Sequence, residues 1–201
     1  MHVRRLIRLA VCSVALTIAC VPLAAVPHAE AKGFLGSPVY RLYNQVSGTH
    51  FYTISQAEAD AATSTYPHIF VGEGIAYYVE DESAYDGGIA RTIETRPLHR
   101  FFNKRNGTHF YTASEQERAR IEADYSSVYE YEGVAYQVFT GTDAALAGLA
   151  PVYRFYNKQN GAHFYTSSEI EKLQVRLHLG TLYTYEGIAF YVWGNDLRVT
   201  D

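Results

Sequence analysis

Four residue types that can bind ligands recur three times along the chain, in the same order and in the same sequence context. They are arginine, histidine, tyrosine and glutamate, whose side chains can form ion pairs, coordinate a metal or hydrogen-bond to the hydroxyl groups of a sugar. The twelve candidate ligand-binding residues are Arg41, His50, Tyr52, Glu73, Arg100, His109, Tyr111, Glu132, Arg154, His163, Tyr165 and Glu186.

The three histidines are the strongest candidates for metal ligands. Brought together by a threefold arrangement, His50, His109 and His163 would supply the imidazole nitrogens of a zinc site. They lie far apart in the sequence, however, and share no local two-ligand spacing. The sequence favours one hydrogen-bonded histidine in the packing of each unit, so we expect no metal and no cofactor.

The repeated charges have two interpretations, which Arg41 and Glu73 illustrate. Because each lies in a predicted strand of the same unit, the two can form an ion pair that fixes the register of those strands. The alternative is a polar pocket of arginine, histidine, tyrosine and glutamate in each unit. Tyrosine suits such a pocket because its ring offers an apolar face together with a hydroxyl group. The sequence leaves both interpretations open.

The repetition of these residues argues against an active site. A catalytic site sets unlike residues against one another, for example two carboxylates with separated pKa values, whereas each polar candidate here has two equivalents. The sequence has no phosphate-binding glycine loop, no His-Glu-x-x-His motif and no Gly-x-Ser-x-Gly motif. We therefore predict a protein that is not an enzyme, in which linked equivalent sites increase the avidity of binding.

Three segments of the chain align with one another without a gap, and they place these residues. They are residues 38–79, 97–138 and 151–192. The residues that connect them differ in composition, so each segment is one supersecondary unit. A single unit is too small to bury its apolar face. We therefore predict an α+β fold in which the three units form a closed pseudo-threefold arrangement, like a propeller or trefoil. A short open array is the alternative.

Each unit carries the signals of a β-β-α-β order, with small antiparallel sheets and the helices outside. In the first unit, Val39–Tyr43 and Thr49–Thr53 are rich in β-forming residues, and Asn44 between them is expected to form an Asx-turn. Ser55-x-x-Glu58 is a capping box, which predicts that a helix begins there. The glycine of the Glu-Gly pair in the last strand of each unit predicts a β-bulge or a close approach of another backbone.

The helix is clearest in the third unit. Ile170, Leu173 and Leu177 occupy positions i, i+3 and i+7, the spacing of an amphipathic helix. Gly180 can end this helix as its C′ residue.

Two motifs of the units resemble a known family. Gly-Thr-His-Phe-Tyr-Thr and Tyr-Glu-Gly-Val-Ala-Tyr, joined by a capped helix and repeated, are similar to the secreted repeat family called domain of unknown function 5648. The first unit departs slightly, with Gly72-Glu73-Gly74 in place of Tyr-Glu-Gly. The resemblance implies an extracellular repeat, mostly bacterial or fungal, that is often appended to secreted hydrolases. It implies no particular activity.

Residues 1–31 have the pattern of a secretory signal peptide. Arginines precede an apolar run, and cleavage is expected after about Ala31. A lipoprotein beginning at Cys20 is a minor alternative. Both cysteines lie in this segment, so residues 32–201 are expected to form a single domain of three repeats, with neither a disulfide nor a membrane span.

Composition limits the partners of the exported protein. The chain has 201 residues, of which 48% are apolar and 19% charged, with a net charge of −4 and 18 tyrosines. A negative protein is a poor match for nucleic acid, whereas tyrosine is common in sugar-binding sites and protein interfaces. We therefore expect a secreted, non-catalytic, monomeric binding protein that recognises glycans or cell walls at multiple sites. A secreted protein–protein interaction module, acting as an adaptor or inhibitor, is the alternative.

Overall fold

The computed structural model describes residues 36–80, 94–139, 141 and 148–194. Within them, each repeat has the predicted β-β-α-β order. The predicted signal peptide, its cleavage site and the alternative lipoprotein cysteine lie outside the described residues. The elements are β1 (Gly36–Asn44), β2 (Thr49–Thr53), α1 (Gln56–Thr65), β3 (Phe70–Glu80), β4 (Thr95–Asn103), β5 (Thr108–Thr112), α2 (Glu115–Asp124), β6 (Tyr129–Phe139), β7 (Leu149–Asn157), β8 (His163–Thr166), α3 (Glu169–His178) and β9 (Tyr183–Trp193).

An asparagine and a glycine set the loop between the first two strands of each repeat. Oδ1 of Asn44 accepts hydrogen bonds from the backbone N–H groups of Val46 and Ser47, both at 3.0 Å. These bonds confirm the predicted Asx-turn, and the other two repeats have the same turn. Gly48 closes it with a φ of 68°, a conformation that residues with a side chain adopt less readily.

A second glycine distorts the long strand of each repeat. Gly74, with a φ of 87°, lies opposite Arg41 where the register of the β1–β3 pairing shifts. This shift confirms the predicted β-bulge, and Gly133 and Gly187 occupy the same place in the other repeats. The bulge positions the preceding residue, Glu73, beside Arg41.

Each helix begins at a serine N-cap, as predicted. In α1, Oγ of Ser55 accepts a hydrogen bond from the N–H of Glu58 at 3.1 Å. The N–H of Ser55, which a full capping box pairs with the glutamate side chain, donates instead to Oγ1 of Thr53 at 3.0 Å. The helices α2 and α3 have the same pattern. The carboxylate of the capping glutamate is therefore available to bind outside its own helix.

The apolar row of the predicted third helix is exposed. Ile170, Leu173 and Leu177 are 70%, 49% and 76% exposed. Val175 is the residue of α3 that packs into the core of its repeat, as Ile121 does in α2. With 3.6 residues per turn, Val175 lies on the side opposite those three residues. The equivalent serine N-caps give all three helices the same orientation on their sheets, so position rather than residue type decides which face is buried.

The sheet of each repeat is antiparallel, with its first strand in the centre. Among the described residues, these three-stranded sheets join only near the ends of their long strands, where Tyr78 pairs with Trp193 and Phe139 pairs with Tyr191. The hydrogen-bonded path runs β2-β1-β3-β9-β6-β4-β5, with β7 and β8 branching from β9. The fold is therefore α+β, as predicted. The sheet is not closed, and a propeller- or trefoil-like arrangement is not confirmed.

A shared core nevertheless connects all three repeats. Val39, Leu98 and Val152, which are equivalent residues, are fully buried in one apolar cluster. The first and third repeats are in direct contact through Tyr52 and Tyr165. Each helix covers a separate small cluster of its own repeat. No helix in the described part of the chain is long and apolar enough to cross a membrane.

Candidate functional site

An arginine, a histidine and a glutamate converge in each repeat. In the first, Nε of Arg41 is 2.7 Å from Oε2 of Glu73, and Nε2 of His50 is 3.3 Å from the same oxygen. The other repeats have arginine–glutamate distances of 2.9 and 2.8 Å and the same histidine–glutamate distance. Each arginine is thus paired with the glutamate that the sequence suggested. The sets are Arg41, His50, Glu73; Arg100, His109, Glu132; and Arg154, His163, Glu186.

Each arginine also binds a glutamate of a neighbouring repeat, a contact that the sequence pattern does not predict. These glutamates are the capping residues of the three helices, which were predicted only to begin a helix. The two carboxylates lie on different repeats, so each guanidinium joins two repeats. The boundary pairs are Arg41–Glu171, Arg100–Glu58 and Arg154–Glu117, with N–O distances of 3.0, 3.3 and 2.9 Å.

An aromatic ring of the neighbouring repeat completes each boundary. The guanidinium of Arg154 lies 5.5 Å from the ring centre of Phe110, within cation–π range. The His163 ring packs against the same phenylalanine at 4.8 Å. The other two boundaries repeat both contacts. Each histidine thus contacts a glutamate of its own repeat through a ring nitrogen, and its ring packs against the neighbouring repeat.

The three candidate tyrosines lie at the centre of the molecule and are 1–2% exposed. The hydroxyl of Tyr52 donates to the backbone carbonyl of Tyr165 at 2.7 Å and accepts the N–H of the same residue at 3.2 Å. Tyr111 makes both bonds to Tyr52, and Tyr165 makes both to Tyr111. These three candidate residues therefore offer no exposed surface to a ligand.

The histidines are not arranged as a shared metal site. His50, His109 and His163 each bond to a different glutamate. Across residues 36–80, 94–139 and 148–194, no group of three or more histidine, cysteine, aspartate or glutamate side chains is placed to hold a metal ion.

Burial and ion pairing act against each other on the pKa values of the site. Burial favours a higher pKa for Glu73, but the hydrogen bond from His50 and the charge of Arg41 outweigh it and lower the pKa. The same balance lowers the pKa of Glu186. In the second repeat burial prevails and raises the pKa of Glu132. Burial, together with the charge of Arg100, lowers the pKa of His109 to about 4.

His109→Gln is expected to weaken the pH dependence of stability below neutrality. The pKa of His109 falls from 6.5 to about 4 on folding. Between these values the unfolded chain binds a proton that the folded chain does not, so stability falls as the pH is lowered through this window. The effect is about 1–3 kcal/mol. Denaturant unfolding at about pH 7, 5.5 and 4 measures it.

His178→Gln, on the exposed end of α3, is the matched control for loss of a histidine. If His109→Gln and the parent lose stability in parallel over this range, the assignment is wrong.

A cleft of about 460 Å³ lies at the boundary between the second and third repeats. The helix side contributes Gln116, Glu117 and Arg120, and the strand side contributes Arg154 and Glu186. Arg154 and the two glutamates are already bonded to one another. The Arg120 side chain is 70% exposed, with Asp124 3.9 Å away, so it can rearrange toward a ligand.

The three boundaries share the arginine–glutamate floor but differ in their walls. Gln116 is replaced by Ala57 in the first repeat and by Ile170 in the third. Arg120 is replaced by Ala61 and Gln174. The cleft between the second and third repeats is therefore the one with the most hydrogen-bonding groups.

Fold and site together define a class of protein: a tandem-repeat α+β domain whose repeats are tied by ion pairs and buried tyrosines. The chain belongs to the family described as Domain of unknown function (DUF5648), whose model matches residues 22–90 and 83–193. No curated protein and no solved structure matches the chain.

Proposed function

We propose that the protein is secreted and binds glycans, of cell walls or of the environment, without catalysing a reaction. The cleft between the second and third repeats carries this proposal. Arg120 and Arg154 balance the charges of Glu117 and Glu186, so the cleft offers paired hydrogen-bonding groups with no net charge. Such a surface suits a neutral polyhydroxylated ligand better than a polyanion.

A pseudo-threefold arrangement of the repeats accompanies this proposal. The tyrosine bonds run from the first repeat to the third, from the third to the second, and from the second to the first. The arginine–glutamate pairs between repeats follow the same order. This cyclic order supports a closed arrangement with up to three related clefts on one molecule. Linked sites of this kind gain avidity on a polymer that repeats the same sugar.

Secretion is part of the proposal and rests on the signal-peptide pattern of residues 1–31. The N-terminal sequence of the protein recovered from the culture medium tests it. A start near Lys32 is expected, and a lipid-modified chain beginning at Cys20 would contradict cleavage after Ala31.

Arg120→Ala and Gln116→Ala are expected to weaken glycan binding about tenfold, because each removes one hydrogen-bonding group from the cleft wall. Neither side chain belongs to the arginine–glutamate floor, so the fold should be preserved. Binding is measured on a glycan array and by retention on insoluble polysaccharides, including peptidoglycan.

Arg105→Ala is the matched control, since Arg105 is an exposed arginine of the β4–β5 loop outside the cleft. Retention on none of these glycans would refute the proposed function. Binding that neither cleft variant reduces would refute its location.

A protein-interaction module is the second candidate, and a different observation favours it. The exposed apolar residues of α3 have small or polar equivalents in α1 and α2, so this surface breaks the similarity of the repeats. An asymmetric apolar surface is typical of a protein interface. The exposure of these residues weighs against the expected monomer. Co-purification of a partner from the culture medium tests this candidate.

A further inference from the structure

Three large apolar side chains form an exposed row along α3, which we call the α3 stripe: Ile170, Leu173 and Leu177. Because they are three and four residues apart, their side chains lie next to one another on the helix surface. They are on the side opposite the buried Val175. At the same positions α1 has Ala57, Asp60 and Ser64, and α2 has Gln116, Ala119 and Ala123. The stripe therefore belongs to the third repeat, and the shared architecture of the repeats does not require it.

Charged residues border the stripe in a defined order. Glu169 in the first turn and Arg176 in the last turn lie on the same side of it, two turns apart. The side chain of Arg176 is placed by stacking 5.4 Å above the ring of Tyr185. Glu169 is placed by a hydrogen bond from Tyr153 and by Lys172, whose Nζ is 2.5 Å away. One edge of the stripe thus has a carboxylate, paired with a lysine of its own helix, at its start and a guanidinium at its end.

This order of charges is complementary to itself when one of the two copies is reversed. In an antiparallel pair of α3 helices, Glu169 of one chain faces Arg176 of the other, and the reverse contact occurs at the other end. A parallel pair with twofold symmetry would place the two Glu169 residues on opposite edges of the contact, so neither would face Arg176 of the other chain. Twofold symmetry requires such a self-complementary surface.

We propose that the α3 stripe binds the α3 stripe of a second copy of this chain, in an antiparallel contact with twofold symmetry. Leu173 lies near the axis, and Ile170 of each chain packs beside Leu177 of the other. A contact confined to one short helix per chain is small, so the dimer is weak and forms at high local concentration. The contact covers Ile170, which is the wall position of the boundary between the third and first repeats, and it leaves open the cleft between the second and third repeats. The dimer does not depend on what that cleft binds.

Sedimentation equilibrium of the exported protein over a wide concentration range tests the dimer. The decisive variant combines Ile170→Gln, Leu173→Ala and Leu177→Ala, which installs the residues that α2 has at the same positions. Because these residues already occupy an equivalent helix, the variant should fold. Its dimer dissociation constant is expected to rise at least ~100-fold.

Val46→Gln is the matched control, because Val46 is a single apolar residue, 76% exposed, on the β1–β2 loop. It should leave the dissociation constant unchanged. A parent protein that stays monomeric up to ~1 mM overturns the proposal, and so does a triple variant that associates as strongly as the parent. A stripe that captures another protein while the parent stays monomeric would assign the surface to that partner instead.

Charge reversal and cross-linking test the antiparallel orientation. Arg176→Glu should weaken the dimer, and adding Glu169→Arg should restore it. Residues 32–201 contain no cysteine, so single cysteines report on proximity. A mixture of the Ile170→Cys and Leu177→Cys chains should form mixed disulfides more readily than either variant alone. Stronger cross-linking of either variant with itself, or no rescue by the second charge reversal, would refute the antiparallel contact.

Discussion

Tyr52→Phe is expected to destabilise the protein by roughly 2–5 kcal/mol, although it removes a single oxygen atom. The hydroxyl of Tyr52 accepts the N–H and donates to the C=O of Tyr165. Tyr165 lies in β8, whose only strand neighbour among the described elements is β7. Its two backbone groups face the centre of the molecule, and without the hydroxyl both lose this partner in a buried environment.

Tyr136→Phe is the matched control for this prediction. Its hydroxyl bonds to that of Tyr77 at 2.9 Å in the same core, so both substitutions remove one buried phenol oxygen. The third repeat already has Phe190 at the equivalent position, and no backbone group is deprived of a partner. We expect a loss of about 1 kcal/mol. Denaturant unfolding compares the variants, and equal losses would show that the central tyrosines do not tie the repeats together.

The elements of each repeat could be predicted because their signals are local. Each signal depends on residues a few positions apart in the sequence, as in the Asx-turn of Asn44, the N-cap of Ser55 and the bulge at Gly74. All three signals recur in every repeat, which distinguishes them from chance matches to a short motif. The pairing of Arg41 with Glu73 could also be predicted, because the two residues lie on adjoining strands of one unit.

The contacts between repeats could not be predicted in the same way. A Ser-x-x-Glu pattern is the same whether the glutamate caps its own helix or binds an arginine elsewhere. The signal that could have separated the two is Thr53, which is also present in every repeat. Its hydroxyl oxygen accepts a hydrogen bond from the N–H of Ser55. The carboxylate of Glu58 is therefore available to Arg100. The apolar spacing of α3 indicates an amphipathic helix, but it does not say which face the core covers.

Only part of the candidate site could be predicted from the sequence. Arginine, histidine and glutamate do converge, but in each case they join two repeats and are only partly exposed. The walls that distinguish one cleft from another, such as Gln116 and Arg120, lie at positions that vary among the repeats. A search for repeated residues therefore selects the shared floor and overlooks the groups that would select a ligand.

Arg154→Ala distinguishes a structural network from a binding pocket at this floor. Nε of Arg154 is 2.8 Å from Glu186, and its Nη1 and Nη2 bond to the two oxygens of Glu117 at 2.9 and 3.2 Å. Removing it leaves two carboxylates close together without a cation, and it also removes the contact with Phe110. We expect a loss of roughly 2–4 kcal/mol, below the value for a fully buried pair because both glutamates are partly exposed.

The arginine of a second boundary and an arginine of the cleft wall provide the internal comparison for this prediction. Arg100→Ala should cost less than Arg154→Ala, because Arg100 lies 3.3 Å or more from Glu58 and makes no bidentate bond. Arg120→Ala should change stability by less than about 0.5 kcal/mol, since its ion pair is exposed. Unfolding of all three variants in denaturant gives the order. If Arg154→Ala keeps the stability of the parent and loses only glycan binding, the floor is a pocket and the repeats are held by the tyrosines and the apolar core alone.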